Sequence, residues 1–115
     1  MEYAEHRLSL GCMGFGGGWT DAPYDANHVK QAQDAIETAL ECGITFFDHA
    51  NIYARGKAEA VFGEVLKGQP DLREQIVIQT KCGIRLPGDP EEAERGRYDF
   101  SYAHIMESVD ASLKS

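Results

Sequence analysis

The stretch that decides the fold is Ile44-Thr45-Phe46-Phe47-Asp48, four β-branched or aromatic residues followed by a carboxylate. A run of this kind, without polar alternation, predicts a strand that is buried on both faces, as in a parallel sheet. A second run, Ile76-Val77-Ile78-Gln79-Thr80, has a similar character and is followed by Lys81. The two runs therefore predict buried parallel strands, each with a charged residue at its carboxyl end.

Amphipathic helices are predicted on both sides of residues 44–48. Before that run, Asp25 or Asn27 can cap a helix and Gly43 can end it. The apolar stripe of this helix is Val29, Ala32, Ile36, Ala39 and Leu40. After the run, a second stripe at helical spacing stops before Gly68 and consists of Ala58, Val61, Phe62, Val65 and Leu66.

Three further segments complete an alternating order of elements. Residues 7–13 are a modestly apolar run, predicted to be a strand, and lead into a glycine-rich loop at 14–19. Residues 85–100 are charged and contain several Pro and Gly, so we expect a long surface loop, after which Ser101 can cap a last helix. The apolar stripe of that helix is Ile105, Val109 and Leu113. The order β-α-β-α-β-loop-α predicts a parallel sheet, either open and doubly wound or as the first units of a (β/α)₈ barrel, and the order alone does not choose between them.

Composition and charge argue against several classes of function. The 115 residues carry 19 Asp and Glu against 11 Lys and Arg, a formal net charge of −8, which argues against partners such as nucleic acid or an anionic membrane. No apolar run approaches the roughly 20 residues of a transmembrane helix, and the first residues lack the pattern of a secretory signal. Because Cys12, Cys42 and Cys82 are far apart, we expect free thiols packed as small hydrophobes in a cytoplasmic protein, without a zinc site.

Asp48 and Lys81 are the first candidates for chemistry. Each follows a buried strand directly, and the carboxyl ends of parallel strands carry the active sites of α/β proteins. Neighbouring strands lie about 4.8 Å apart, so the two side chains can come within reach of an ion pair. The alternative is a structural ion pair that seals the strand ends.

Tyr53 lies five residues beyond Asp48, in the polar connection before the second helix. A lysine ammonium beside a phenol favours the phenolate, and a carboxylate can hold that ammonium in place. An Asp-Lys-Tyr cluster is therefore suited to protonate the alkoxide that forms from a carbonyl. In the alternative interpretation, Tyr53 only anchors the loop.

The glycine-rich loop and the histidines give weaker signals. Residues 14–19 match neither of the nucleotide-binding motifs GxGxxG and GxxxxGK. A nucleotide-binding loop and a plain flexible loop are therefore equally plausible interpretations. Trp19 can cover a pocket or pack at the rim of the barrel. None of the four histidines is expected to bind a metal ion, because none has a second candidate ligand at a spacing typical of metal sites. We expect His6 and His28 at the surface, His49 pointing away from the side of Asp48, and His104 in a polar role near a helix cap.

These segments together resemble the aldo-keto reductase family. The matching stretches are Leu8-Ser9-Leu10-Gly11-Cys12-Met13-Gly14, Gly43-Ile44-Thr45-Phe46-Phe47-Asp48-His49-Ala50-Asn51-Ile52-Tyr53, Glu59 with Phe62-Gly63-Glu64-Val65-Leu66, and Val77-Ile78-Gln79-Thr80-Lys81. The resemblance implies that residues 1–115 are the N-terminal three β/α units of a (β/α)₈ barrel. It also implies an oxidoreductase that reduces small aldehydes and ketones to alcohols with NADPH and without a metal.

The resemblance assigns a role to each matching residue. Asp48 corresponds to the aspartate that holds the catalytic lysine, Lys81 to that lysine, and Tyr53 to the proton donor. The cofactor-binding residues are expected to be Gly11, Cys12 and Met13 together with Asp48. Trp19 is expected to line the substrate pocket.

Other parts of the family pattern have no match in these residues. The family's fourth catalytic residue is a histidine at the end of the fourth strand, and its main phosphate-binding and adenosine-binding segments come later in the barrel. We therefore expect little or no activity from the isolated chain. The alternatives are a non-catalytic, barrel-derived module that assembles with another chain, and a small free-standing α/β binding domain. The sequence does not predict the physiological substrate, a preference for NADPH over NADH, or the oligomeric state.

Overall fold

The structure, a computed structural model, describes residues 7–115, so His6 lies outside the described residues. Strands lie at Leu10–Gly11 (β1), Phe46–Asp48 (β2), Val77–Gln79 (β3), Ile84–Arg85 (β4) and Arg97–Tyr98 (β5). Helices lie at Ala26–Glu41 (α1), Lys57–Gly68 (α2), Leu72–Gln75 (α3) and Tyr102–Lys114 (α4), with a 3₁₀ turn at Tyr53–Gly56. Among the helices of residues 7–115, none combines the length and apolar character needed to cross a membrane.

Strands β1, β2 and β3 form a parallel sheet in that order, which confirms the predicted parallel sheet. Burial on both faces is not confirmed, because Phe47 is the one fully buried residue of β2, and β3 is partly buried with Gln79 exposed. Asp48 is paired with Gly11 on one side and with Gln79 on the other. The strands are shorter than the apolar runs that predict them, because pairing with a neighbour sets the end of a strand and side-chain type does not. This register brings the ends of all three strands to one edge of the sheet.

The core forms where α1 and α2 pack against β2. Asp25 caps α1 by accepting hydrogen bonds from the backbone N–H groups of Asn27 and His28, and the His28 ring accepts one from the Asp25 N–H in return. Gly43, with φ of +80°, then turns the chain from α1 towards β2. Buried members of this core include Cys12, Ala32, Ile36, Phe47, Val61, Phe62 and Val65.

The segment at 85–100 is more ordered than the predicted surface loop. Strands β4 and β5 pair antiparallel, with Ile84 opposite Tyr98. Arg85 Nε donates to Asp99 Oδ2 at 2.7 Å, which joins the two strands of this hairpin. Residues 86–96 form a mostly exposed loop, as predicted. The hairpin on either side of it was not predicted, because each strand has two residues, too few to show an alternating pattern.

Helix α4 begins as predicted but presents a different face. Ser101 Oγ accepts a hydrogen bond from the His104 N–H, which confirms the cap. His104 and Ser108 are the buried residues of the helix, and their side chains lie 3.5 Å apart. The predicted stripe is exposed to differing degrees and comprises Ile105, Val109 and Leu113. The stripe therefore packs against none of the described elements to the extent that a core helix would.

Candidate functional site

Asp48 and Lys81 form the centre of the candidate site, at the carboxyl edge of the sheet. Lys81 Nζ donates to Asp48 Oδ1 at 2.9 Å and to the backbone carbonyl of His49 at 2.8 Å. The predicted contact between the two strand ends is therefore confirmed. Sequence reasoning missed Gln79, whose Nε2 donates to the same Asp48 oxygen at 2.8 Å. Its spacing of two residues from Lys81 is the signal that could have found it, because alternate residues of a strand share a face.

Asp48 and Lys81 each favour the charged form of the other. The hydrogen bond from Lys81 holds the pKa of Asp48 below its usual value, against the effect of partial burial, and the bond from Gln79 adds to the lowering. Partial burial alone would lower the pKa of Lys81, but interactions with Asp48 and Tyr53 outweigh it and raise that pKa. The side chains of Lys81 and Asp48 are 48% and 30% exposed, so such a pair contributes at most about 1 kcal/mol to stability. The pair orients the ammonium more than it stabilises the fold.

Tyr53 opens the 3₁₀ turn and contacts both Lys81 and Trp19. The Lys81 ammonium lies 5.1 Å from the centroid of the Tyr53 ring, within the range of a cation–π interaction. The rings of Trp19 and Tyr53 meet edge to face, with 6.3 Å between their centroids. The Asn51 N–H donates to the Lys81 carbonyl at 3.0 Å and so ties the Tyr53 loop to the chain after β3. The structure thus gathers the aspartate, lysine and tyrosine that the sequence singles out.

A cavity of about 200 Å³ adjoins this cluster. Its lining residues are Ala50, Asn51, Ile52, Tyr53, Lys81, Cys82 and Ile84. A larger groove of about 510 Å³ shares Asn51, Ile52 and Ile84 with the cavity and extends to the segment at 20–24. The Tyr53 and Lys81 side chains therefore border a space that can admit part of a small molecule.

Gly11, Cys12 and Met13, at the end of β1, differ in how accessible they are to a bound cofactor. Space is open around Gly11, and the Met13 side chain is half exposed. Cys12 is fully buried, its N–H donates to the Asp48 carbonyl at 2.9 Å, and its thiol lies 3.6 Å from the Leu10 carbonyl. Burial and the nearby Asp48 charge raise the pKa of the Cys12 thiol to about 12. Gly11 and Met13 are accessible to a bound group, whereas the Cys12 side chain belongs to the core.

The other cysteines do not follow the expected packing. Cys42 and Cys82 are exposed, so the expectation of small buried hydrophobes was wrong for both and is confirmed for Cys12. All three thiols are free, as the spacing predicts. Across residues 7–115, no group of three or more His, Cys, Asp or Glu side chains is placed to hold a metal ion.

His49 points away from the side of Asp48, as strand alternation predicts. Its ring is fully buried and lies 4.6 Å from the Phe62 ring and 6.4 Å from the Phe15 ring, between centroids. Neither ring nitrogen of His49 has a hydrogen-bond partner among the described residues. Burial therefore lowers the pKa of His49 to about 4, so the ring is neutral at physiological pH. His28 is partly buried, with 29% of its side chain exposed, so the expected surface position is only partly met. His104 lies beside the Ser101 cap as expected, but its side chain is buried.

The backbone after Tyr53 has an unusual conformation that the sequence does not reveal. Ala54 and Arg55 have φ of 50° and 58°, and Gly56 follows with φ of 93°. Only glycine enters this left-handed region at no steric cost, so two non-glycine residues here require support from their surroundings. Arg55 Nε lies 3.3 Å from Asp21 Oδ1, and Arg55 Nη2 donates to the Pro87 carbonyl at 3.4 Å.

Comparison with known sequences identifies one family for nearly the whole chain. The profile described as the Aldo/keto reductase family matches residues 7–115. The 6-dehydroglucose reductase of Agrobacterium fabrum is 44% identical over 95 residues, which cover 82% of this chain and 31% of that protein. The chain therefore spans about a third of the length of this curated relative.

Solved structures show the same relationship in three dimensions. The aldo-keto reductase AKR11C1 from Bacillus halodurans, in its holo form, is 34% identical with a TM-score of 0.66, and the match covers 93% of this chain and 30% of that one. The glycerol dehydrogenase AKR11B4 from Gluconobacter oxydans is 30% identical with a TM-score of 0.71, covering 94% and 31%. These structures are (β/α)₈ barrels, so the parallel sheet described here is part of such a barrel, which resolves the choice of architecture left open by element order.

Proposed function

Because this chain belongs to the Aldo/keto reductase family, we propose that it forms part of an NADPH-dependent enzyme that reduces small aldehydes and ketones to alcohols. The observation that carries the proposal is the cluster at the sheet edge. Lys81 bonds to Asp48 at 2.9 Å, and its ammonium lies 5.1 Å from the Tyr53 ring centroid. The chain covers about a third of its relatives' length, so the activity is proposed for a protein that combines these residues with the rest of a barrel.

Tyr53 is the proton donor of the proposed reaction. As the carbonyl carbon is reduced, negative charge develops on its oxygen, and the Tyr53 hydroxyl donates its proton to that oxygen to complete the alcohol. The Lys81 ammonium stabilises the phenolate that remains, because it lies against the same ring. Asp48 acts on Lys81 and holds its ammonium at the sheet edge, and water returns a proton to Tyr53 for the next turnover.

The residues of this chain fit the nicotinamide end of NADPH, which supplies the hydride when bound. The open space at Gly11, the exposed Met13 side chain and the Asp48 carboxylate lie together where β1 and β2 end. An apolar side chain and an open backbone suit a flat ring, and the carboxylate oxygens can accept from its carboxamide. The Cys12 side chain is buried in the core, so we propose that Cys12 supports this edge from beneath.

Trp19 lines neither the cavity nor the groove beside the cluster, and its contact with Tyr53 supports a place at the edge of the proposed substrate pocket. Its indole is 43% exposed and meets the Tyr53 ring edge to face. A carbonyl oxygen within reach of the Tyr53 hydroxyl would therefore lie beside an aromatic face. The relatives named as a 6-dehydroglucose reductase and a glycerol dehydrogenase favour small hydroxylated carbonyl compounds as the first substrates to test.

The test is a chimaera in which residues 7–115 replace the matching part of the Agrobacterium fabrum reductase. We expect NADPH oxidation with a reactive aldehyde, and Tyr53→Phe should lower kcat by roughly 100-fold or more because the general acid is lost. Tyr24→Phe is the matched control, since the Tyr24 hydroxyl bonds to Glu64 at 2.8 Å, apart from the cluster. A folded chimaera whose turnover is unchanged by Tyr53→Phe, or is lowered equally by Tyr24→Phe, would overturn the proposal. The isolated chain should show little or no turnover.

A further inference from the structure

Arg55 lies where three segments around the site meet. Its guanidinium reaches Asp21 Oδ1 at 3.3 Å, in the segment that also carries Trp19, and the Pro87 carbonyl at 3.4 Å, in the segment that follows β4. The Arg55 side chain is 33% exposed, so most of it is packed between these segments. Two donor groups of one side chain thus join the loops on either side of the Tyr53 turn.

The contacts of Arg55 coincide with the backbone strain. Ala54, which follows Tyr53 directly, is fully buried with φ of 50°, and Arg55 itself has φ of 58°. A left-handed conformation at non-glycine residues persists only where surrounding contacts determine it. The Arg55 N–H also donates to the Ile52 carbonyl at 2.7 Å, which closes the turn around Tyr53.

Two further contacts hold the segment that carries Trp19 against the start of α2. Lys57 Nζ donates to the Ala22 carbonyl at 2.7 Å, one residue beyond Asp21. Gly16 approaches the Lys57 backbone so closely that a Cβ at Gly16 would lie 2.8 Å from the Lys57 carbonyl carbon. The Trp19 segment is therefore held against the start of α2 at two further points, and Arg55 adds the link that lies nearest in sequence to Tyr53.

We propose that Arg55 is a positioning residue, which fixes the Tyr53 hydroxyl and the Trp19 indole relative to each other by joining Asp21 and Pro87 across the strained turn. Arg55 acts through Tyr53 and Trp19. The consequence for turnover rests on the proposed function, but the geometric part does not. A loss of this link would let the Tyr53 turn relax, and a displacement of about 1 Å in a reacting group can cost roughly 100-fold in rate.

Trp19 offers a readout that does not depend on activity. It is the single tryptophan of the chain, and its indole contacts Tyr53, so tryptophan fluorescence reports on the surroundings of this one position. The first measurement is acrylamide quenching of Trp19 in the 115-residue chain, with far-UV circular dichroism to confirm the fold. Arg55→Ala should raise the quenching constant, and Arg55→Lys should restore part of the protection because a lysine can still pair with Asp21.

Arg73→Ala is the matched control. Arg73 also donates to a backbone carbonyl, that of Ile76 at 3.3 Å, but it lies in α3 outside the cluster. Unchanged quenching in Arg55→Ala, or an equal rise in Arg73→Ala, would overturn the proposal. If Arg55→Ala does not fold, Asp21→Ala replaces it, because the Asp21 side chain is almost fully exposed and its removal should leave the fold intact. Increased quenching of Trp19 in Asp21→Ala would support the Arg55 link, and unchanged quenching would contradict it.

The chimaera then tests the consequence for catalysis. Arg55→Ala should lower kcat by roughly 10-fold to 100-fold while the KM for NADPH stays unchanged, and Arg55→Lys should recover part of the loss. Greater quenching in the 115-residue chain without any reductase activity in the chimaera would sink the proposed function and leave the Arg55 link standing. Reductase activity in the chimaera, with unchanged quenching in Arg55→Ala, would support the proposed function and overturn the Arg55 link.

Discussion

The Lys81 ammonium donates a hydrogen bond to the backbone carbonyl of His49 at 2.8 Å, while the ring of the same His49 lies buried against Phe62 of α2. One residue therefore contacts the site through its backbone and the core through its side chain. Because the ring is held by packing on Phe62 and Phe15, the carbonyl that orients Lys81 is held as well. The placement of the site and the stability of the core are coupled at this position.

The first prediction concerns the pH dependence of stability at His49. Burial lowers the pKa of His49 from 6.5 to about 4, so the unfolded chain binds a proton that the folded chain does not as the pH falls through this range. The free energy of unfolding should therefore decrease from about pH 6.5 to about pH 4, by on the order of 3 kcal/mol from this group. Urea unfolding followed at several pH values measures the effect.

His49→Phe provides the comparison for this prediction. The cavity of about 70 Å³ that His49 borders leaves room for the larger ring. The variant should be more stable than the natural chain at pH 5 and should depend less on pH between 4 and 6.5. Equal pH slopes for the two proteins would show that His49 does not titrate as its burial requires.

The second prediction separates stability from turnover at Asp48. Asp48→Asn keeps the shape of the side chain but removes the charge that favours the Lys81 ammonium. Because the pair is partly exposed, the free energy of unfolding should change by less than about 1 kcal/mol. In the chimaera, kcat should fall by roughly 10-fold to 100-fold as Lys81 loses its orientation.

Asp34→Asn is the control for Asp48→Asn, because Asp34 forms an exposed ion pair with Lys30 on α1 at 2.6 Å. It should leave kcat unchanged. A large loss of stability in Asp48→Asn with little loss of kcat would contradict the proposed role and favour a purely structural ion pair.

The third prediction concerns the three thiols. Burial raises the pKa of Cys12 to about 12, whereas Cys42 and Cys82 are exposed. The thiolate is the reactive form, so an aromatic disulfide reagent at neutral pH should label Cys42 and Cys82 quickly and Cys12 only after denaturation. Mass spectrometry of the labelled peptides identifies each site. Cys12→Ala should leave the rapid labelling unchanged, and fast labelling of Cys12 in the native chain would show that the β1 edge opens.

The sheet and the ion pair could be predicted because they depend on local patterns. The apolar runs at 44–48 and 76–80 predict β2 and β3, and a charged residue at the end of each run indicates which edge of the sheet carries it. Once the strands are neighbours, the distance between Asp48 and Lys81 follows from strand spacing. The family resemblance added the number of strands in the complete barrel, which three units cannot reveal.

The Arg55 link and the hairpin could not be predicted because they depend on contacts between distant segments. In the sequence, Arg55 is one charged residue among several in a polar loop. Its partners Asp21 and Pro87 lie 34 residues before it and 32 residues after it. The left-handed backbone at Ala54 has no signal in the sequence, since alanine rarely takes that conformation. Helical periodicity shows which residues of α4 share a face and not what covers that face, so it did not reveal that His104 and Ser108 are the buried residues of this helix.

The order of the parallel sheet has a consequence for synthesis. Strands β1, β2 and β3 follow one another in the chain and are neighbours in the same order in the sheet. During synthesis, β2 can therefore pair with β1, and β3 with β2, because the earlier strand has already left the ribosome. Each pairing closes only the intervening β/α segment, which keeps the entropic cost of each step modest. The Asp48–Lys81 contact joins the last two of these strands, so it can form once residue 81 has left the exit tunnel, while the residues that follow it are still inside the tunnel.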